Sequence, residues 1–293
     1  MKLCVAAAQY TIGEPADFVA FATGVAAQVA HAAKRGAQLV VLPEYLALES
    51  AAMLAPDVRG DLARSLDALQ PCWDDYLALA RELARRHGVL LLAGTFLLRM
   101  PSGRYRNRAL LATPGGPVAF QDKLTLTGYE RASGIIEPGD ELKVFATDCG
   151  RLAIDICYDV EFPLYARAQA QAGARLLLVP SCTDTAAGAN RVRVGCRARA
   201  LENPLYVACA VTAGEAPWSP ALDSNTGGAG IYAPIDRGFP ADGVVARSDD
   251  GWAIATLDLA AFDAHAGQAQ VAVARDWPAQ TRPAVERARV ESL

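Results

Sequence analysis

The stretch Arg35-Gly36-Ala37-Gln38-Leu39-Val40-Val41-Leu42-Pro43-Glu44-Tyr45 closes one element, builds a second and ends on a charge. Gly36 stops the amphipathic run at residues 17–35, which Asp17 caps, because glycine takes the left-handed conformation that terminates a helix. Residues 38–42 form a short strand whose last four residues, Leu39-Val40-Val41-Leu42, are continuously apolar, the pattern of a strand buried on both faces. Upstream, residues 3–9 read as another such strand, so the chain opens as a βαβ unit with parallel pairing. Downstream, residues 69–87 form a second helix, interrupted early by Pro71 and ended by Gly88, and residues 89–96 a continuous buried strand. Residues 105–113 and 118–122 flank Pro114-Gly115-Gly116-Pro117, a hairpin signal that adds antiparallel pairing to the same sheet.

The second half repeats this outline without a detectable sequence repeat. A strand is expected at 152–156, a helix at 162–172 ending at Gly173, and a strand at 175–179 stopped by Pro180. A helix at 190–202 stops at Asn203-Pro204 and a strand follows at 205–212. Further strands fall at 229–233, 243–246 and 252–258, with a short helix at 259–264. No Ser- or Pro-rich linker divides the chain, so residues 1–270 read as one α/β domain. Residues 271–293, with Pro278 and Pro283, read as a tail that either packs against a neighbouring subunit or is loose.

With 293 residues, 52% hydrophobic, the chain can bury a large core without staples. The net charge of −4 leaves no basic field for nucleic acid or an anionic membrane. No segment approaches the roughly 18 apolar residues of a membrane span, and MKLCVAAAQY resembles a buried strand more than a signal peptide. Seven cysteines, an odd number with no CxxC pair, argue against a disulfide framework or a zinc site and fit reduced thiols in the cytoplasm.

Catalytic groups of α/β sheets gather where strands end, and three positions satisfy this: Glu44 in LVVLPEY, Lys123 in FQDKLTLT and Cys157 in LAIDICYDVEFP. A carboxylate, an ammonium and a thiol make a complete nucleophilic site. Glu44 takes the thiol proton, Lys123 lowers the cost of the thiolate, and Lys123 with the backbone N–H of Tyr158 holds the oxyanion formed when sulfur attacks a carbonyl. A Cys-His site would need His31, His87 or His265, none of which follows a strand. Cys4, Cys149, Cys182, Cys196 and Cys209 read as packing thiols. Arg191, Arg193, Arg197 and Arg199 read as a solvated or subunit-facing helix rather than an anion site, with Glu202 near enough to pair with Arg199. Thr226 to Gly230 (TGGAG) reads as a turn entering a strand. Tyr129, Thr183 and Trp218 lie in loops that could line a pocket.

These strings resemble the nitrilase superfamily of carbon–nitrogen hydrolases, whose catalytic Glu, Lys and Cys match Glu44, Lys123 and Cys157 in order and local context. PGDELKVF from Pro138, RLAIDICYD from Arg151, EFP from Glu161, LLLVPS from Leu176 and RARALENPLYV from Arg197 extend the likeness over nearly the whole chain. The resemblance implies a four-layer αββα sandwich assembled as homodimers or larger even oligomers. It also implies a second glutamate a few residues after the lysine, which matches Glu130 in LTGYER and orients the lysine or substrate. The strings are nearest to a branch often found beside or fused to acetyltransferase domains; no such domain is expected within this sequence. Cys157-Tyr158-Asp159 stands in place of the Cys-Trp-Glu of true nitrilases, which favours amides over nitriles. The expectation is therefore a hydrolase of a small-molecule amide working through a cysteine thioester, with no metal or organic cofactor. Transfer of the acyl group to another acceptor, and a catalytically silent binding protein of the same fold, remain open alternatives.

Overall fold

The computed structural model describes residues 2–262 and 268–291. Strand β1 (Lys2–Thr11) leads through helix α1 (Phe18–Lys34) to β2 (Leu39–Leu42), the expected βαβ opening. The Asp17 carboxylate accepts from Ala20 N at 2.7 Å and Gly36 takes φ +88°, so both ends of α1 are closed as the sequence dictates. Helix α2 (Pro56–Arg59), helix α3 (Leu62–Leu69) and helix α4 (Trp73–His87) follow, then β3 (Leu90–Arg99), β4 (Tyr105–Ala112), β5 (Val118–Asp122) and the short helix α5 (Gly128–Ser133). The second half contains β6 (Val144–Thr147), β7 (Gly150–Ile154), α6 (Pro163–Gln171), β8 (Leu176–Ser181), α7 (Ala186–Glu202) and β9 (Tyr206–Glu215). It closes with β10 (Ser224–Asn225), β11 (Ala229–Tyr232), β12 (Val244–Ser248) and β13 (Trp252–Asp258).

One sheet runs β5-β4-β3-β2-β1-β13 and the other β6-β7-β8-β9-β11-β12. β1 joins them: Val5 to Ala7 pair with β2, whereas Gln9 to Thr11 pair with β9. The sheets pack face to face through contacts of β2 with β8 and β9. Helices α1 and α4 cover the first; α7 covers the second, with α6 packed beside it and bonded to β7 through Gln169 Nε2 on the Ile154 carbonyl, which makes the αββα sandwich. Every residue of β2 and of β8 is buried, as the apolar runs Leu39–Leu42 and 176–180 require; the polar Ser181 that ends β8 is buried as well.

Several details differ from the sequence reading. Pro180 lies inside β8 rather than ending it, because β7 stops pairing at Leu178 and only β9 accompanies Pro180, an edge-like place that tolerates a missing N–H. α7 starts at Ala186, not residue 190: Thr185 Oγ1 accepts from Gly188 N at 3.1 Å, and the Ala/Gly-rich first turn carries no apolar period to announce it. A 3-10 segment (Leu46–Met53), α2, α3, α5 and β6 were not expected; they are short or lack periodicity. The expected helix at 259–264 runs into residues 263–267, outside the described residues. The tail forms short helical turns (Val273–Asp276, Trp277–Thr281 and Pro283–Val285), and the Arg167 guanidinium lies 4.5 Å from the Trp277 ring centre.

Candidate active site

Each of the proposed catalytic side chains is held at a strand end by its own neighbourhood. At the end of β2 the chain turns sharply, and Tyr45 adopts φ +60° with its N–H donated to Thr95 Oγ1 at 2.8 Å. The turn presses Pro43 and Leu46 against Gly94 of β3; a Cβ there would sit 2.4 Å from the Pro43 carbonyl oxygen and 2.8 Å from Leu46 Cβ. Lys123 follows β5 with its N–H on the Asn107 carbonyl at 2.9 Å and its carbonyl accepting from Gly139 N at 2.7 Å. This places the Pro138-Gly139 turn directly behind the lysine.

Cys157 opens a 3-10 segment (Cys157–Glu161) after β7 and is held at φ +49°, strained for a residue with a side chain. The buried Asp159 carboxylate compensates by accepting from Ile156 N (3.2 Å), Leu124 N (3.1 Å) and Thr125 N (2.7 Å). One side chain thus ties the cysteine turn to the segment after Lys123. Burial raises Asp159 to about 6, against the pull of Lys123 and these N–H groups. Gly195 of α7 backs the turn, where a Cβ would approach Val160 Cγ1 to 3.1 Å.

The side chains converge in one buried cluster. Lys123 Nζ donates to Glu44 Oε1 at 2.8 Å and to Glu130 Oε1 at 2.9 Å. Asn107 Nδ2 donates to Glu44 Oε1 at 2.7 Å, and Cys182 N to Glu44 Oε2 at 3.0 Å. Glu130 also accepts from Tyr45 OH at 2.7 Å and Thr127 N at 2.8 Å, the latter part of a Thr127–Glu130 capping box. The Cys157 thiol donates to the Cys182 carbonyl at 3.5 Å.

Burial pushes the Cys157 thiol well above its ordinary value and the Glu44 carboxylate adds to this, outweighing Lys123. The expected thiolate-lowering effect of Lys123 is therefore present in direction and overruled in sum. Burial likewise raises Glu44, against Lys123. Burial pulls the Lys123 ammonium down, but Glu130 and Glu44 together hold it well above its ordinary value. Glu130 is lowered, because Lys123 and the Thr127 and Tyr45 hydrogen bonds outweigh its burial. The cluster is a permanent cation between two acids of unlike strength, beside a neutral thiol. Two of the three Lys123 N–H bonds are committed, which leaves one for an incoming oxygen. The Tyr158 N–H lies in the first turn of the 3-10 segment, where backbone donors have no helical acceptor.

A cleft of about 280 Å³ opens above Cys157 and is lined by Glu44, Lys123, Tyr158, Tyr129 and Thr183, with Cys182 on its wall. Tyr129 OH donates to the Pro220 carbonyl at 3.0 Å and Thr183 Oγ1 to the Thr226 carbonyl at 2.5 Å. Trp218 lies elsewhere, under the Arg59 guanidinium at 5.7 Å, and does not line this cleft. Cys182, read as a packing thiol, is half-buried here, and its own thiol is pushed up to about 12 by burial and then by Glu44. Arg199 is buried against Glu202 rather than solvated, and Arg191 reaches the cleft and pairs with Glu161 at 3.3 Å. Asn107, Tyr45, Thr127 and Asp159 went unnoticed in the sequence. Asn107 could have been found as a polar residue in the inward phase of β4, between Tyr105 and Ala109. Thr127 could have been found from its capping-box spacing to Glu130. Among the described residues no three His, Cys, Asp or Glu side chains are arranged to hold a metal ion, and Glu44 and Glu130 are committed to Lys123, Asn107 and backbone N–H groups.

A twisted αββα sandwich with Glu, Lys and Cys at three strand ends defines a class of thiol-bearing α/β proteins. The chain belongs to the carbon–nitrogen hydrolase family, whose model matches residues 4–254. It is 32% identical over 249 residues to the probable hydrolase YhcX of Bacillus subtilis, covering 85% of this chain and 47% of that protein. It is 32% identical over 199 residues to the deaminated glutathione amidase of Mus musculus, 64% of this chain and 59% of that one. The chain thus spans about half the length of these curated relatives. A carbon–nitrogen hydrolase from Helicobacter pylori superposes with a TM-score of 0.76 at 18% identity, covering 97% of this chain and 96% of that one, which establishes the shared fold. No helix among the described residues is long and apolar enough to cross a membrane.

Proposed function

We propose that this protein hydrolyses a small-molecule amide through a thioester on Cys157. The observation that carries the reading is Lys123 Nζ bonded at once to Glu44 and Glu130 in the cleft that holds the cysteine sulfur. Because the thiol is neutral at rest, Glu44 takes its proton as sulfur attacks the carbonyl carbon. The C=O electron pair moves onto oxygen, and the free Lys123 N–H and the Tyr158 N–H hold that oxyanion. The intermediate collapses with loss of ammonia or an amine, which carries the proton from Glu44. Glu44 then deprotonates a water that attacks the thioester carbonyl; the acid departs and the proton returns to sulfur. Glu130 touches no reacting atom in this scheme. It is a positioning residue that keeps Lys123 charged and aimed, and raised Glu44 beside lowered Glu130 divides the two roles between the two acids.

Ammonia release across amides, ω-amides, carbamoyl compounds and nitriles tests the reaction. Amide turnover is expected to vanish in Cys157→Ala, and intact-mass analysis of stalled wild-type protein should find the acyl group on Cys157. Unimpaired turnover in that variant, or an adduct on another cysteine, overturns the mechanism. The assembly reading is an even-numbered homo-oligomer through the outer helix layer. It is supported by Leu164 of α6 and Val194 and Leu201 of α7, large apolar side chains left exposed on that layer. A cytoplasmic setting is supported by seven cysteines, all free thiols.

A further inference from the structure

The cleft above Cys157 has a charge pattern that the hydrolytic chemistry does not use. Beyond the catalytic groups its wall carries Glu161, Asp184 and Asp223 against a single cation, Arg191. Arg191 Nε is already paired with Glu161 Oε1 at 3.3 Å, and Lys123 is neutralised by Glu44 and Glu130. Asp184 and Asp223 are left with no cationic partner among the described residues; Asp223 Oδ1 accepts only from the neighbouring Ser224 N at 2.9 Å. Their fields reach the wall of the site, since Asp223 raises the Tyr129 phenol and Asp184 adds to the rise of Cys182. That the space is a ligand site at all is marked independently by the buried Cys157 thiol and the uncommitted Lys123 N–H beneath it. Two aromatic rings, Tyr129 and Tyr158, border the same space, and aromatic faces attract organic cations.

A carboxylate-bearing substrate would meet two acids without a cationic partner, and at Arg191 a guanidinium whose charge is already partly balanced by Glu161. An ammonium or guanidinium meets the opposite: two carboxylates without a cationic partner and two tyrosine side chains, the acids lying exposed at the rim of the cleft where their attraction is screened by salt. Resting on the amidase reading above, we propose that the substrate is a cationic amide, a primary or small secondary amide bearing an ammonium or guanidinium a few carbons from the scissile carbonyl. Asp184 and Asp223 select it, and the volume of about 280 Å³ restricts it to a small molecule.

Matched amides decide the point: 4-aminobutyramide (cationic), butyramide (neutral) and succinamate (anionic), compared by kcat/KM for ammonia release. The cationic amide is expected to exceed the neutral one by about tenfold at low ionic strength and the anionic one by more, with the gap shrinking as salt is added. In the Asp184→Asn/Asp223→Asn double variant the cationic-to-neutral ratio should fall about tenfold. Equal rates for the charged and neutral amides, a preference for succinamate, or a ratio untouched by the double variant overturns the proposal while leaving the amidase reading standing. A protein that turns over none of these still ranks thiol reagents. Cys157 alkylation by bromoethylammonium, iodoacetamide and iodoacetate, each normalised to a free thiol, is expected to follow that order in the wild type and to lose it in the double variant. The reverse order sinks the cationic assignment, and absent turnover with the expected order sinks only the hydrolytic reading.

Discussion

At the scale of single residues the site is a problem of holding charge where water is absent. Lys123 is fully enclosed between Glu44 and Glu130, and removing either acid would leave a buried cation short of a partner. Glu130→Gln should therefore reduce kcat about a hundredfold or more with a small change in KM, and the pH profile should shift as Lys123 loses its second counter-charge. Substrate contact by Glu130 would instead move KM. Glu44 is raised by burial, so its base form appears only above the ordinary 4.5. Activity is expected to rise with pH along an acid limb centred above that value, and Glu44→Gln should remove the limb together with at least about a thousandfold in rate. Asp159 touches no reacting group, yet it accepts three backbone N–H groups across the turn that keeps Cys157 at φ +49°. Asp159→Asn should cost about 2–3 kcal/mol in urea unfolding and slow Cys157 alkylation, because an amide cannot accept at both ends.

At the scale of elements, the corner after β2 depends on a residue in the next strand. Gly94 has φ +74° and lies against the Pro43 carbonyl, at a break in the β3–β4 register between Leu92 and Thr95. The break turns Thr95 so that its hydroxyl caps Tyr45 N, which in turn sets Glu44. Gly94→Ala forces a side chain into that approach as well as into left-handed backbone, and should cost about 3 kcal/mol with loss of amide turnover out of proportion to stability. Equilibrium unfolding set beside kcat/KM checks both. Residues 89–96 read from sequence as one uninterrupted strand, since a bulge leaves no mark in hydrophobicity. Glu130, by contrast, was legible from its motif, and the capping box that holds it follows from Thr-x-x-Glu spacing.

At the scale of the molecule, two sheets meet face to face and bury polar groups that single elements would leave wet. Asp155, two residues before Cys157, has both carboxylate oxygens buried with no hydrogen bond of good geometry, and burial, then Asp159, raises it to about 8 against the weaker pull of Gln169 and Arg199. Its unfolded value is the ordinary 3.8, so between about 4 and 8 the native state holds a proton that the unfolded chain releases. Stability from this residue is thus highest at low pH and falls as pH rises through that window. Urea unfolding of Asp155→Asn should show less loss between pH 5 and 9 than the wild type, with the variant gaining on the order of several kcal/mol relative to it at the alkaline end. The exposed apolar residues of α6 and α7 belong to the same scale: Val194→Glu should shift the mass measured by light scattering towards the monomer if that layer is the interface.

The sequence by itself determined the alternation of strands and helices, the hairpin and the three strand ends at Glu44, Lys123 and Cys157. Each of these is local: a cap, a period or a terminating Pro or Gly acts within a few residues along the chain. Tertiary structure alone decided that Asn107 and the Cys182 N–H share Glu44, that Asp159 ties the cysteine turn to the lysine segment, and that burial leaves the thiol neutral. It also decided that Arg191, Asp184 and Asp223 face one cleft. Such contacts join residues far apart in sequence, and the desolvation that sets their charge states exists only once the two sheets have closed over them.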